Sequence, residues 1–167
     1  EGKTQELQCL GTEFWESVYG KGPIVKLDQM PAITDIDETP EILVLELTQQ
    51  CNFRCEYCVY SGHYKYERKH QNIRMSKEIV DEIVDKYFRT EKDPDYVSLY
   101  GGEPLLQFSL IQYLVQKIEK IGKTPEYAMT TNGSLILNET IARFLVDKKV
   151  HLTISFDGLN HDLYRKT

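Results

Sequence analysis

The sequence predicts an α/β fold in which parallel strands alternate with helices. Three observations carry this: apolar runs of strand length recur from Glu41 onward, a segment of helical spacing follows each, and every run ends in a polar or glycine-rich turn. The connections are short, so successive strands are expected to pair side by side. At 167 residues, 41% hydrophobic and 28% charged, the chain is one globular domain by length, with a real core. That domain is expected at residues 41–167, with residues 1–40 as an N-terminal lead-in and linker.

In the lead-in, Thr12 is placed to cap a short helix carrying Phe14, Trp15 and Val18, which the turn Gly20-Lys21-Gly22-Pro23 breaks. A short strand is expected at residues 24–27, and the acidic, proline-flanked residues 31–40 read as a linker. Residues 42–47 are an almost unbroken apolar run, as in a strand covered on both faces. Within it Glu46 shares a face with Ile42, Val44 and Thr48, opposite Leu43, Leu45 and Leu47. If helices cover the leucine face, Glu46 points inward, to an internal salt bridge or to substrate.

Ser76 offers an N-cap to a helix with Ile79, Ile83 and Tyr87 on one stripe and Val80, Val84 and Phe88 beside it. Asp93-Pro94 ends that element, residues 96–100 form the second strand, and Gly101-Gly102 stops it. Ser109 is expected to cap the second helix, with Leu110, Leu114 and Ile118 inward and Gly122 after its end. Residues 126–131 form the third strand, and Asn138 caps a third helix that buries Ile141, Phe144 and Leu145. The fourth strand, residues 150–156, alternates Val150, Leu152, Ile154 and Phe156 with His151, Thr153, Ser155 and Asp157. Asn160 is placed to cap a fourth helix.

In a parallel sheet, chemistry gathers at the carboxyl ends of the strands. Four special turns lie there: residues 48–60 with Cys51, Cys55 and Cys58, then Gly101-Gly102-Glu103-Pro104, Thr130-Thr131-Asn132-Gly133, and Ser155-Phe156-Asp157-Gly158. Together they make one rim and one site. Three of the four cysteines stand in a Cys-x3-Cys-x2-Cys loop; Cys9 is isolated and reads as an inert thiol. This is no disulfide framework, which leaves a metal or an iron–sulfur cluster. Zinc with His63 as fourth ligand fits the residue types. So does a cubane cluster, which takes four ligands and would keep one iron open to a small molecule.

Cys51-Asn52-Phe53-Arg54-Cys55-Glu56-Tyr57-Cys58 at a strand end, with Gly101-Gly102-Glu103-Pro104 some forty residues later, resembles the radical S-adenosylmethionine enzymes. With the Thr-Asn-Gly and Ser-Phe-Asp-Gly turns, the sequence looks most like the SPASM-containing maturases of ribosomally made peptides. The resemblance covers about three quarters of the chain, from Glu41 onward. It implies part of a partial (βα)6 TIM-type barrel, truncated after about four strands, and marks the chain as the N-terminal part of such an enzyme. It also implies a 4Fe-4S cluster on Cys51, Cys55 and Cys58, with S-adenosylmethionine chelating the open iron. Gly101, Gly102, Glu103 and Pro104 would hold its methionine amino group, and Tyr57 and Val59 would line the adenine. Thr131, Asn132, Ser155 and Asp157 would approach the ribose and methionyl parts.

The implied activity is reductive cleavage of S-adenosylmethionine to a 5′-deoxyadenosyl radical that abstracts hydrogen from a precursor peptide, leading to a thioether or carbon–carbon crosslink. An anaerobic sulfatase-maturase-like oxidation of a Cys or Ser is the alternative, and a non-catalytic zinc or iron–sulfur module the alternative of another class. Implied partners are the peptide and an electron donor such as flavodoxin or ferredoxin. Auxiliary 4Fe-4S clusters are expected in a further C-terminal part.

The net charge of −6 argues against nucleic acid as a partner. No apolar run approaches the roughly 20 residues that cross a bilayer, there is no signal peptide, and clustered unpaired cysteines point to the cytoplasm. Residues 60–74 are long for a loop and carry three tyrosines, two histidines and four Lys or Arg, a solvated strip or a grip for an acidic peptide. His151 and Thr153 read as satisfied interior groups.

Overall fold

The structure is a computed structural model that describes residues 40–64, 69–89 and 92–166. The chain divides into two units, Glu1–Ile36 and Asp37–Thr167, and only the second contains described residues. The expected helix at Thr12, the strand at residues 24–27, Cys9 and all but the last linker residue lie outside them.

Four strands pair in sequence order as one open parallel sheet: β1 (Ile42–Thr48), β2 (Tyr96–Gly101), β3 (Glu126–Thr131) and β4 (His151–Ile154). Helices α1 (Lys77–Tyr87), α2 (Phe108–Lys120) and α3 (Glu139–Asp147) connect them, and a short α4 (His161–Tyr164) follows β4. This is the expected portion of a partial barrel. Strand alternation sends Leu43, Leu45, Leu47, Val97, Leu99, Tyr127 and Met129 to one face, where Val80, Val84, Leu110, Ile111, Leu114, Ile118, Ile141 and Leu145 of the helices meet them. Each fully buried aliphatic side chain contributes roughly 1.5–3 kcal/mol, so this layer is what keeps the strand ends in place.

The opposite face is bare, which corrects the reading of β1 as covered on both sides. Ile42 and Val44 are 58% and 59% exposed, because the helices pack on the leucine face alone. Glu46 lies on this inner side, where its Oε1 accepts from the Tyr60 hydroxyl at 2.8 Å. β4 is shorter than expected, and all four of its residues are exposed. Register puts His151 and Thr153 beside Ala128 and Thr130 on the inner face, and Leu152 and Ile154 beside Met129 and Thr131 on the helix face. As the edge of the described sheet, β4 gains little cover from the four-residue α4.

The helix ends follow local chemistry. Ser76 Oγ accepts from Ile79 N–H, and Asn138 Oδ1 accepts from Thr140 and Ile141 N–H, as the sequence predicts. Of the two stripes on α1, the valines are buried and Ile79 is exposed. Ser109 does not cap α2. Pro104 opens a 3-10 turn, Pro104–Gln107, that runs straight into the helix, so Ser109 falls inside the first turn. Asn160 stands at the N-cap of α4 without a side-chain bond to it. Among the described residues, no helix is long and apolar enough to cross a membrane.

Candidate functional site

β1 leaves the sheet through a bulge. Its register slips between Glu46, paired with Tyr100, and Thr48, paired with Gly101, so Leu47 and Thr48 are both buried. Thr48 Oγ1 donates to Ile73 O at 3.1 Å and accepts from Gln50 N–H at 3.0 Å. Gln49 N–H donates to Ile73 O, and Met75 N–H to Leu47 O. The chain therefore enters the cysteine loop from a fixed exit, with the segment before α1 running back beside it. A second antiparallel bridge, Ser61 to Lys69, ties the base of the following long loop. Residues 65–68 of its basic strip lie outside the described residues, and His63 is exposed on it.

Cys51, Cys55 and Cys58 are free thiols, with Cys55 buried and the other two half-buried. Burial pushes the Cys51 thiol up; the Phe53 N–H and the Asn132 side chain oppose it, while Glu103 and Cys58 add to it. Burial also pushes Cys55 up, against the nearby Arg165 cation and with the other two thiols. Each of these cysteines thus lies within electrostatic reach of its fellows. Among the described residues, no three ligating side chains converge as they would around a single ion. Two sulfurs already accept backbone bonds, Cys51 Sγ from Phe53 N–H at 3.3 Å and Cys58 Sγ from Tyr60 N–H at 3.4 Å. A set of three soft donors, open to the rim cavity through Cys58, fits an iron–sulfur cluster with one iron left for another ligand. Loading it would release the thiol protons, since the thiolate is the ligand.

A Cβ on Gly101, whose φ is +144°, would collide with Thr48 O, and one on Gly102 with Gln50 O. What presses on these glycines at their Cβ positions is the backbone of the cysteine loop, and both also line the rim cavity. Gly102 N–H donates to Thr48 O and Glu103 N–H to Gln50 O, both at 2.8 Å, sewing the two turns together.

Glu103 is fully buried. Its Oε1 accepts from Leu105 N–H at 3.1 Å and Thr131 Oγ1 at 2.9 Å, and its Oε2 from Asn132 N–H at 2.8 Å. Its carboxylate binds the ends of β2 and β3 to each other. Pro104 is buried at the start of the 3-10 turn. Asn132 also reaches the cysteine loop, donating to Asn52 Oδ1 at 2.9 Å and toward Cys51 Sγ at 3.7 Å.

A cavity of about 150 Å³ collects Cys58, Val59, Gly101, Gly102, Thr131, Asn132 and Ser155 on one wall system. Ser155 is held there by its N–H bond to Thr131 O at 3.0 Å, which extends the β3–β4 pairing. Tyr60 and Thr130 of the rim turns line it too, as does Tyr100, which the sequence reading left out of the site. Inward alternation along β2 is the signal that would have found Tyr100. Tyr57 and Asp157 are not brought into this cavity. The Tyr57 hydroxyl donates to Asp157 Oδ2 at 2.7 Å, and Arg165 Nε donates to the same oxygen at 2.9 Å, with its guanidinium over the Tyr57 ring. Burial and this bond raise Tyr57 to about 12. The same bond, with Arg165, holds Asp157 below the usual carboxylate range.

Arg54 N–H donates to Lys166 O at 2.6 Å, so the segment after α4 docks on the outer side of the cysteine loop. Nothing in the sequence marked Arg165, which meets the loop only through tertiary contact. Two larger cavities, of about 470 and 550 Å³, open among Asp93, Lys123 and Glu126 and among Glu119, Tyr127 and His151. They sit at the amino ends of the strands, away from the four turns and where parallel sheets do not place their chemistry.

The profile of a family described as "Radical SAM superfamily" matches residues 45–167. A GTP 3′,8-cyclase of Psychromonas ingrahamii is 35% identical over 75 residues, 45% of this chain and 21% of that protein. A serine-type anaerobic sulfatase-maturating enzyme of Bacteroides thetaiotaomicron is 31% identical over 70 residues, 40% of this chain and 16% of that protein. A solved structure described as native anSMEcpe with bound AdoMet superposes with a TM-score of 0.61 at 26% identity, over 75% of this chain and 35% of that one. Another, with bound AdoMet and Cp18Cys peptide, gives a TM-score of 0.61 at 27% identity over 76% and 34%. The chain spans 21% and 16% of the two curated relatives' lengths and about a third of the solved chains'.

Proposed function

The chain belongs to the radical SAM superfamily, and from that membership we propose that it forms the cofactor-binding part of an enzyme that modifies a peptide or protein by radical chemistry. The observation that carries this is the rim itself. The three-cysteine loop, the Gly-Gly-Glu turn, the Thr-Asn-Gly turn and Ser155 meet around one cavity, and they are sewn together by backbone bonds and a buried carboxylate.

In this reading Cys51, Cys55 and Cys58 hold a 4Fe-4S cluster, and S-adenosylmethionine binds beside it. When bound, the pair supplies a 5′-deoxyadenosyl radical after one electron from a flavodoxin or ferredoxin. The chain's own part is to place and to shield. Ser155 would offer its hydroxyl to the cofactor, Gly102 and Thr131 would wall it, and Val59 would lie against its base. Tyr57 is steadied by Asp157 and stands at the outer edge. Tyr60 and Tyr100 wall the cavity on the inner side, where substrate hydrogen would be presented.

The peptide class is supported by the solved relatives, one of them with a bound Cp18Cys peptide, which superposes over 76% of this chain at 27% identity. By sequence, the GTP 3′,8-cyclases and the sulfatase-maturating enzyme match similar shares of the chain, 45% and 53% against 40%. Within that class we take crosslinking of a ribosomally made peptide as the first outcome. Oxidation of a Cys or Ser is the second, favoured by the sulfatase-maturating relatives.

The test is anaerobic reconstitution of the full-length protein, with iron and sulfide counted and electron paramagnetic resonance recorded with and without S-adenosylmethionine. Four irons and a spectrum that responds to the cofactor are expected, and Cys55→Ala should abolish both. More than four irons would report auxiliary clusters. One zinc without sulfide would sink the reading. Mass spectrometry of candidate peptides then separates the outcomes, since a crosslink joins two residues and an oxidised Cys or Ser changes one.

A further inference from the structure

The potential of a thiolate-held cluster depends on hydrogen bonds to its sulfurs. Cys51 Sγ receives two. The one from Phe53 N–H comes from the loop's own backbone and would survive almost any side chain there. The other crosses from the end of β3, where Asn132 Nδ2 lies 3.7 Å from the sulfur.

The orientation of that amide is determined by its other partners. Asn132 Oδ1 accepts from Ser134 N–H at 3.0 Å, and a backbone N–H can only donate, so the NH2 group must face the sulfur. Ser134 Oγ donates to the same oxygen at 2.7 Å and accepts from Asn52 Nδ2 at 2.8 Å. Asn52 Oδ1 takes the remaining Asn132 Nδ2 proton at 2.9 Å, closing a ring of three side chains across the cysteine loop and the β3 turn. From the main chain, Asn132 N–H is anchored to the buried Glu103. A donor so fully held keeps its direction, and its orientation is settled before the cluster binds.

We propose that Asn132 is a positioning residue that sets the reduction potential of the cluster through its Nδ2–H bond to Cys51 Sγ, with Asn52 and Ser134 fixing its direction. This rests on the cluster reading above. Reduction adds negative charge shared with the sulfurs, and an N–H donor stabilises the more negative state more, so the bond raises the potential.

The test is a potentiometric titration of the full-length protein, reconstituted anaerobically and read by electron paramagnetic resonance. At the wild-type midpoint, Asn132→Leu with four irons bound should lower the ratio of reduced to oxidised cluster by about threefold or more. Asn132→Gln should recover part of the loss. A four-iron Asn132→Leu protein with the wild-type ratio overturns the proposal and leaves the cluster reading standing. If that variant assembles no cluster, Ser134→Ala decides. Ser134 holds the amide without itself donating to a cysteine, so a smaller shift of the same sign supports the proposal and an unmoved ratio overturns it. A wild-type protein with one zinc and no sulfide overturns both.

Discussion

The two ends of the rim are built by different physics. Around β1, β2 and β3 the turns are joined by backbone bonds, by glycines with no room for a side chain, and by a carboxylate with no exposed surface. Beyond β4 the corresponding turn is held mainly by side chains, Tyr57 and Arg165 on Asp157 and the exposed pair Lys166 on Glu56, with single backbone bonds from Ser155 to Thr131 and from Arg54 to Lys166. The first kind of join leaves buried polar groups stranded when broken, which is expensive. The second is screened by salt and exchanges readily with water. A cluster loop backed by the first and strapped by the second should be rigid where the sulfurs meet the sheet and yielding on its outer side.

The comparison can be broken most directly at the glycines. Gly102→Ala forces a Cβ into Gln50 O and should cost about 3 kcal/mol or more, read as a lost or much earlier urea transition. Wild-type stability would mean that the two turns are not locked together. Glu103→Ala removes the acceptor for Leu105 N–H, Thr131 Oγ1 and Asn132 N–H, and should cost about 2–4 kcal/mol. Glu103→Gln, which keeps one oxygen, should lose less.

Ser76→Ala, at the amino end of α1, serves as a control: it should cost about 1 kcal/mol and leave cluster loading untouched. Smallest is Asp157→Asn. The folded Asp157 titrates below the ordinary carboxylate range, so it stabilises above that range and loses its contribution as pH falls through the lowered value. The difference in unfolding midpoint between wild type and Asp157→Asn should therefore be small, present at neutral pH, and vanish in acid or in high salt. A large, salt-independent difference would place this end of the rim with the buried one.

Much of this was legible without coordinates, for reasons visible in particular residues. The strand-length run at residues 126–131 and the Thr-Asn-Gly turn that closes it are local, and so are the caps at Ser76 and Asn138. The three cysteines sit within eight residues, so their convergence is nearly a property of the loop. The misreadings came from contacts that pattern cannot carry. Ser109 looked like a cap because a proline-started 3-10 turn is indistinguishable from a loop until it joins the helix. Ile42 and Val44 looked buried because an apolar run does not say which face the helices take.

By itself, then, the sequence determined the βα alternation, the four rim turns and the donor set of the cysteine loop, because each depends on residues close together in the chain. Only the tertiary structure decided that Gly101 and Gly102 yield to backbone, that Glu103 faces inward to β3, that Asn132 reaches Cys51 and that Arg165 returns to Tyr57. Those pairings span tens of residues and exist only once burial of the leucine face has brought the strand ends side by side.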